Sequence, residues 1–535
     1  MMAFSGKDKA GTMMTTSGAS AYNLLWEDSL SECADRRLKV EEGGVIPDWL
    51  NGALVRNGPA CFGTEDRKYL HLFDGLAKLT KYDFSAGEMT FSARFIRSSW
   101  YKSIVEEGRM PPSVTTGPVA PPFSLLDNIA AGLTSQAFDN TPVNIHQIGG
   151  QGGKWVAITD APVAVEFDPK TLETIGRIAY SDGITSSKAA VELFSTAHPH
   201  TRANGDTINY FLELNPLGSN MAMIVKTDKN LRRTVIGSVP LSHIPYIHDI
   251  SITDKYAVIC LWPLRSDPLK LFNGQGFLPQ LEWQWLGPEQ GTRILVFDLD
   301  KERGEPVAEY SSPAMFAYHH VNAYDTADGN VVFDISGYTT PGIVNGDHLF
   351  ALLPNVKDPE QRKLQERDAK WFRYTLPIST QRRGLVKPVE LKAVCSAGRQ
   401  YTSELVTISP RMQRRLYRFS YGFTGFAGDE GFEDWALVKL DHAAAAALHT
   451  ERKEGSPTTA LIWRQPQCFP SEAIFVHREG AEDEDDGVVL SQVYDSSRKD
   501  SFLLLLDAKT MTEIARCYLG MVCPASFHGK WISSS

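Results

Sequence analysis

ILVFDLDKERGEPVAEY, residues 294–310, decides the fold. Four apolar residues run into Asp298, a polar stretch follows, and alternation resumes beyond Pro306, which is the pattern of a strand, an acidic turn and a returning strand. The unit recurs on both sides. LTKYDFSAGEMTFSARFI (79–96) turns after Asp83, VAVEFDPKTLETIGRIAY (163–180) after Asp168, AMIVKTDKNLRRTVIGSV (222–239) after Asp228, WALVKLDHAAAAALHTE (435–451) after Asp441 and FLLLLDAKTMTEIARCYL (502–519) after Asp507. WFRYTLPISTQRRGLVKPVEL (371–391), around Tyr374, reads as a seventh, degenerate copy. Successive copies lie about 60 to 85 residues apart, longer than the roughly 45 residues of a simple propeller blade. Seven copies therefore predict an all-β, seven-bladed β-propeller whose long connections form a helical and loop dome over the axis.

A chain of 535 residues would ordinarily suggest two or three domains, but a propeller absorbs that length in one. Residues 1–25, rich in Ser, Thr, Gly and Met, read as a flexible N-terminal tail, and 26–535 as a single propeller domain with dome insertions. A net charge of −10 and a pI near 5.8 speak against a nucleic-acid partner, because phosphate binders cluster Lys and Arg. Seven cysteines without a CxxC pair fit a reducing compartment. No window carries eighteen uninterrupted apolar residues, and no compact apolar leader opens the chain, so the expected location is intracellular, cytoplasmic or plastid.

Two connections stand out as an apolar mouth. Residues 121–133 place Leu126, Ile129 and Leu133 on one helical face, and 269–287 gather Leu271, Phe272, Phe277 and Leu278. Both predict peripheral contact with a membrane. The acidic run 479–487 reads as a solvated loop.

Of 13 histidines, four stand beside strand-like segments at blade spacing: His198 in FSTAHPH, His248 in PYIHDISIT, His319 in FAYHHVNAYD and His528 in SFHGKW. Their successive gaps of 50, 71 and 209 residues are one, one and three repeat lengths, as one inward-pointing residue per blade would give. Imidazole suits iron, copper, nickel or zinc, and four neutral rings leave a divalent ion its full charge. Carboxylates on the outer ring nitrogens would answer that charge. Glu404 in TSELVTI and Glu472 in PSEAIFV fall in the two repeat lengths that supply no histidine, and Asp160 lies one blade before His198. His200 and His320 neighbour proposed ligands and cannot present the same ring geometry, and His71 reads as structural. No G-x-S-x-G elbow, Walker loop or HExxH offers another chemistry.

The segments NGALVRNGPA (51–60), HLFDGLAKL (71–79), TAHPH (196–200), YIHDISIT (246–253), YHHVNAYD (318–325), PSEAIFV (470–476), EDDGVVLS (484–491) and FHGKW (527–531) together resemble the carotenoid cleavage oxygenase family, collinearly and over nearly the whole chain. The resemblance implies one Fe(II) per chain, held by His198, His248, His319 and His528 and buttressed by Glu404 and Glu472. It also implies O₂ as co-substrate, a lipophilic polyene substrate in an apolar tunnel, and cleavage of a C=C bond of a carotenoid or apocarotenoid to two carbonyl products. Four imidazoles on an octahedral ion leave two positions open for that purpose. One position departs from the pattern: Asp160 stands where the family has a third glutamate. Three other readings stay open: a retinoid isomerase or isomerohydrolase, a stilbene-cleaving oxygenase, and a carotenoid-binding propeller whose histidines are vestigial.

Overall fold

The computed structural model describes residues 21–113, 115–127, 138–180, 183–266, 276–283, 291–340, 342–344, 351–364, 369–378, 386–388, 391–393, 403–425, 435–444 and 460–534. Seven sheets of four or five strands follow one another along the chain, each built mainly from neighbouring antiparallel strands. The sequence-predicted acidic turns join the outer strands of these blades. In blades two, three, four and seven, Asp168, Asp228, Asp298 and Asp507 each accept the backbone N–H two residues on, at 2.7, 2.8, 3.0 and 3.0 Å. Such an Asx turn reverses the chain without a glycine.

The degenerate copy is real but rerouted. Lys370–Pro377 pairs with Leu391–Ala393 in blade five, while Val386–Pro388 from the same connection pairs in parallel with Ala308–Ser312 of blade four. In blade six the strand that pairs with Ala436–Asp441 on this side is Ala460–Trp463, and most of the alanine run after Asp441 lies outside the described residues.

Blade one closes the ring. Its inner strand is Gly529–Ser533 from the C-terminus, paired antiparallel with Gly52–Pro59 from the N-terminal part, so the two ends of the chain share one sheet. The inner strands of the other six blades are Asn144–Ile148, His200–Thr201, Ser251–Ile252, Phe316–Asp325, Glu404–Ile408 and Ile474–His477. Every candidate ligand therefore sits on, or just before, an inner strand.

Over one end of the axis lies an apolar cluster of dome segments and blade residues that includes Leu25, Trp26, Leu72, Leu353, Val356, Trp435 and Phe527. This corrects the tail boundary: Ala21–Trp26 is a 3-10 turn with Tyr22, Leu25 and Trp26 buried, because its aromatic and aliphatic side chains have a core to join. Residues 1–20 lie outside the described residues. The acidic run is likewise no free loop. Glu484 accepts the backbone N–H groups of Arg418 and Phe419, and Asp485 meets the buried Lys439 ammonium at 2.6 Å, so the run clasps blade seven to blade six.

The expected mouth divides. Leu125 and Leu126 are 59% and 78% exposed, whereas Phe277 and Leu278 are buried, Phe277 between Phe194 and Tyr246 at ring-centre distances of 4.7 and 5.6 Å. Those two side chains fill the core under blades three and four and present nothing to a bilayer. Ile129, Leu133, Leu271 and Phe272 lie outside the described residues. Among the described residues no helix is long and apolar enough to cross a membrane.

Candidate metal centre

His198, His248, His319 and His528 meet on the axis, with one ring nitrogen of each within 4.8 Å of the others. His248, His319 and His528 are buried and His198 is partly so. His198 and His248 bring their Nε2 atoms to 3.2 Å. The local folding explains the aim of His319: its strand bulges on both sides of it, between Ala317 and His319 and again between His320 and Asn322. A bulge turns a side chain out of strict alternation. His319 thus points to the axis, while its neighbour His320 reaches Ser251 Oγ at 2.7 Å instead.

Three rings are held from behind by carboxylates. Asp160 Oδ2 lies 2.8 Å from His248 Nδ1, Glu404 Oε2 lies 2.6 Å from His319 Nδ1, and Glu472 Oε1 lies 2.8 Å from His528 Nδ1. The shorter Asp160 reaches its histidine directly, without a bridging water. It does more, since Tyr246 Oη donates to the same oxygen at 3.0 Å and the Ala197 N–H, next to His198, donates to the other at 3.1 Å. One carboxylate thereby joins the two neighbouring histidine segments. His198 has no carboxylate partner among the described contacts. Glu472 is steadied by the Gly529 N–H at 2.8 Å and by the fully buried Arg56 guanidinium at 3.6 Å.

A carboxylate can only accept, so each of these Nδ1 atoms carries the proton and each neutral ring turns an Nε2 lone pair to the axis. His319 Nε2 is buried there without a partner. Burial, and then the other three rings, hold His198 well below the usual imidazole range, and burial outweighs Glu472 to hold His528 at about 4. His319 moves up instead: burial pulls it down, but Glu404, with smaller contributions from Asp249 and Glu472, outweighs it. Three inner nitrogens that turn lone pairs to one point, with His198 Nε2 3.2 Å from that of His248 and His319 Nε2 left without a partner, suit a cation. Metal–nitrogen bonds of about 2.1 Å space ligand atoms roughly 3 to 4.2 Å apart, close to the spread found here. With Glu472 matched to Arg56, the carboxylates of Asp160 and Glu404 balance a divalent ion. The residues fit such an ion.

Above the ring, on the dome side, lies an apolar chamber. Phe73 faces His248 with ring centres 6.3 Å apart, Tyr318 meets His248 edge-on at 5.2 Å, and Phe527 meets Phe73 at 4.8 Å. Leu25, Trp26, Trp435 and Phe469 complete its walls. These aromatics were not singled out from the sequence, although Phe73, Tyr318 and Phe527 each lie within two residues of a noted histidine, and that proximity was the available signal. His71 proves structural in part: its Nδ1 accepts the Phe73 N–H at 3.2 Å and caps the turn that presents Phe73.

Comparison with known proteins gives the chain's family and its fold. The sequence model of the family described as retinal pigment epithelial membrane protein matches residues 26–533. The chain is 28% identical to the rat β,β-carotene 15,15'-dioxygenase, covering 92% of this chain and 89% of that one. It is 29% identical to a chloroplastic carotenoid cleavage dioxygenase 8 homologue of rice, covering 99% and 90%. Among solved structures, an apocarotenoid oxygenase variant from Synechocystis superposes with a TM-score of 0.76 at 22% identity, covering 96% of this chain and 98% of that one. A cobalt-substituted form of the same oxygenase gives 0.75 at 22% identity, covering 96% and 99%, and these two likenesses establish the fold.

Proposed function

The chain belongs to the retinal pigment epithelial membrane protein family, which includes the carotenoid oxygenases, and on that premise we propose that it is an Fe(II)-dependent dioxygenase that cleaves one C=C bond of a carotenoid or apocarotenoid. The observation that carries the reading is a four-histidine ring, backed by three carboxylates, at the floor of an aromatic chamber. His198, His248, His319 and His528 would hold one iron per chain. Bound ferrous iron supplies the one-electron chemistry that lets dioxygen react with a closed-shell alkene.

The chain's own residues do the rest. Asp160, Glu404 and Glu472 hold the protons on the outer nitrogens, so the inner lone pairs stay available and the rings cannot swing. Phe73, Tyr318 and Phe527 offer flat apolar faces beside the ring, which orient a conjugated chain and exclude water from the reacting bond. The reaction balances without a further reductant: one C=C bond is lost, two C=O bonds form, and each oxygen atom of O₂ ends in one product. The exposed Leu125 and Leu126 support peripheral contact with the membrane that dissolves such substrates.

The test is turnover of iron-reconstituted protein on a panel of carotenoids, apocarotenoids and stilbenes, with and without O₂. The reading expects paired carbonyl products only with iron and O₂. Product formed from a retinyl ester under nitrogen would replace it with the isomerohydrolase reading.

A further inference from the structure

Among the described residues, the chamber is not alone in reaching the histidine ring. On the opposite face of the propeller a second cavity, of about 700 Å³, reaches the same rings and has His198, His319 and His528 at its end. Its walls come largely from the inner strands and carry far more polar groups than the chamber's. His146 and Thr201 bond across it at 3.0 Å, His200 Nε2 lies 2.8 Å from the Ile250 carbonyl and 3.7 Å from the Asp249 carboxylate, and Asp249, itself buried, is held by the Ile250 and His320 N–H groups. Arg411, Arg414 and Lys530 also line it, with Arg414 paired to Asp254 at 3.0 Å.

We propose that this polar axial channel is the path by which a hydrated divalent metal ion reaches the four histidines, with His200 and Asp249 as a transit site, and that the apolar chamber takes no part in loading. The proposal rests on the reading of the ring as a metal site but not on the reaction. Size and solvation both favour it. The channel, at about 700 Å³ against about 140 Å³ for the chamber, offers an ion and its shell of waters the wider approach. The chamber is lined mainly by apolar side chains such as Phe73, Trp435 and Phe469, with few groups to replace a dication's waters ahead of the ring, whereas the channel offers the imidazoles of His146 and His200, the Asp249 carboxylate and backbone carbonyls along the way.

The experiment follows Co²⁺ uptake by full-length apo protein through metal content over time, and its removal by a chelator. Thr201→Phe and Val321→Trp place bulk in the channel at residues that take no part in the ring. Each is expected to slow uptake and removal alike by about tenfold or more, with the final stoichiometry unchanged. Filling the chamber of the unmodified protein with a long-chain alcohol is expected to leave the uptake rate unchanged, an arm that needs no variant to fold. Uptake at the normal rate in folded plugged variants, or uptake slowed by the alcohol, overturns the proposal. Protein that never takes up metal overturns the ring reading instead.

Discussion

The two approaches to the histidine ring differ in almost every respect except their destination. The dome side is walled by Phe73, Tyr318, Trp435, Phe469 and Phe527, several of them carried by connections between strands, and even by Leu25 and Trp26 from ahead of the first blade. The far side is walled largely by inner strands, which present His146, Thr201 and Asn322. A reaction between a water-insoluble chain and a charged ion needs both environments within a few ångströms. The propeller separates them by placing the rings across its axis. Strand alternation fixes the polar wall, and the loops are free to supply the apolar one.

The sharpest way to break this comparison is to remove the partition itself. His319→Ala and His528→Ala are each expected to take metal content from about one per chain to near zero and to lower turnover by at least about a thousandfold, with the β-rich circular dichroism spectrum retained. Normal metal content in either would mean that the ring is not what divides the two sides. The carboxylates behind the rings come next. Glu472→Gln and Asp160→Asn should each weaken metal affinity or rate by about 10- to 100-fold. An unchanged dissociation constant and an unchanged rate would reduce these groups to packing.

The two sides should also answer differently to acid. Burial, with a smaller contribution from Lys530 and His200, pushes His146 in the channel wall down to about 3 from an unfolded value of 6.5. The folded chain then resists a proton that the unfolded chain accepts. Stability from this group is complete above pH 6.5 and is lost as pH falls toward 3. At pH 5 the loss is 1.5 pH units at about 1.36 kcal/mol each, or about 2 kcal/mol. Urea unfolding at pH 7 and pH 5 should show it, and His146→Asn should remove that part of the slope; an identical slope in the variant would place the acid sensitivity elsewhere. The smallest effect belongs to the chamber. Phe73→Leu, which gives up aromatic contact worth about 0.5 to 1.5 kcal/mol, should raise KM for the polyene roughly 2- to 10-fold and leave metal content alone. A loss of metal in this variant would mean that the two sides are not separable.

The ring was legible in the sequence because a propeller repeats: one inward position per blade turns spatial convergence into spacing along the chain. The acidic turns were legible for a local reason, each Asp needing only the next few residues to fold back on. Arg56 was not, because it meets Glu472 across 416 residues, and only the closure of blade one brings them together. The tail boundary was misplaced because residues 21–26 are too short for a periodic signal and are defined by what they cover. Phe277 and Leu278 looked like a membrane mouth for the converse reason: an apolar run in a connection reads the same whether it faces lipid or the layer beneath. The contact of Asp160 was not legible either, because Tyr246 and the Ala197 amide, which hold this shorter side chain within bonding distance of His248, come from distant segments.

The most direct test of the central claim, that the four histidines would hold iron and that both atoms of O₂ enter the cleaved double bond, is isotopic. Iron-reconstituted protein is supplied with an apocarotenoid under ¹⁸O₂, quenched before the aldehydes exchange with water, and both cleavage products are weighed by mass spectrometry. The account predicts one ¹⁸O atom in each of the two carbonyl products. Label in only one product, or in neither, contradicts it.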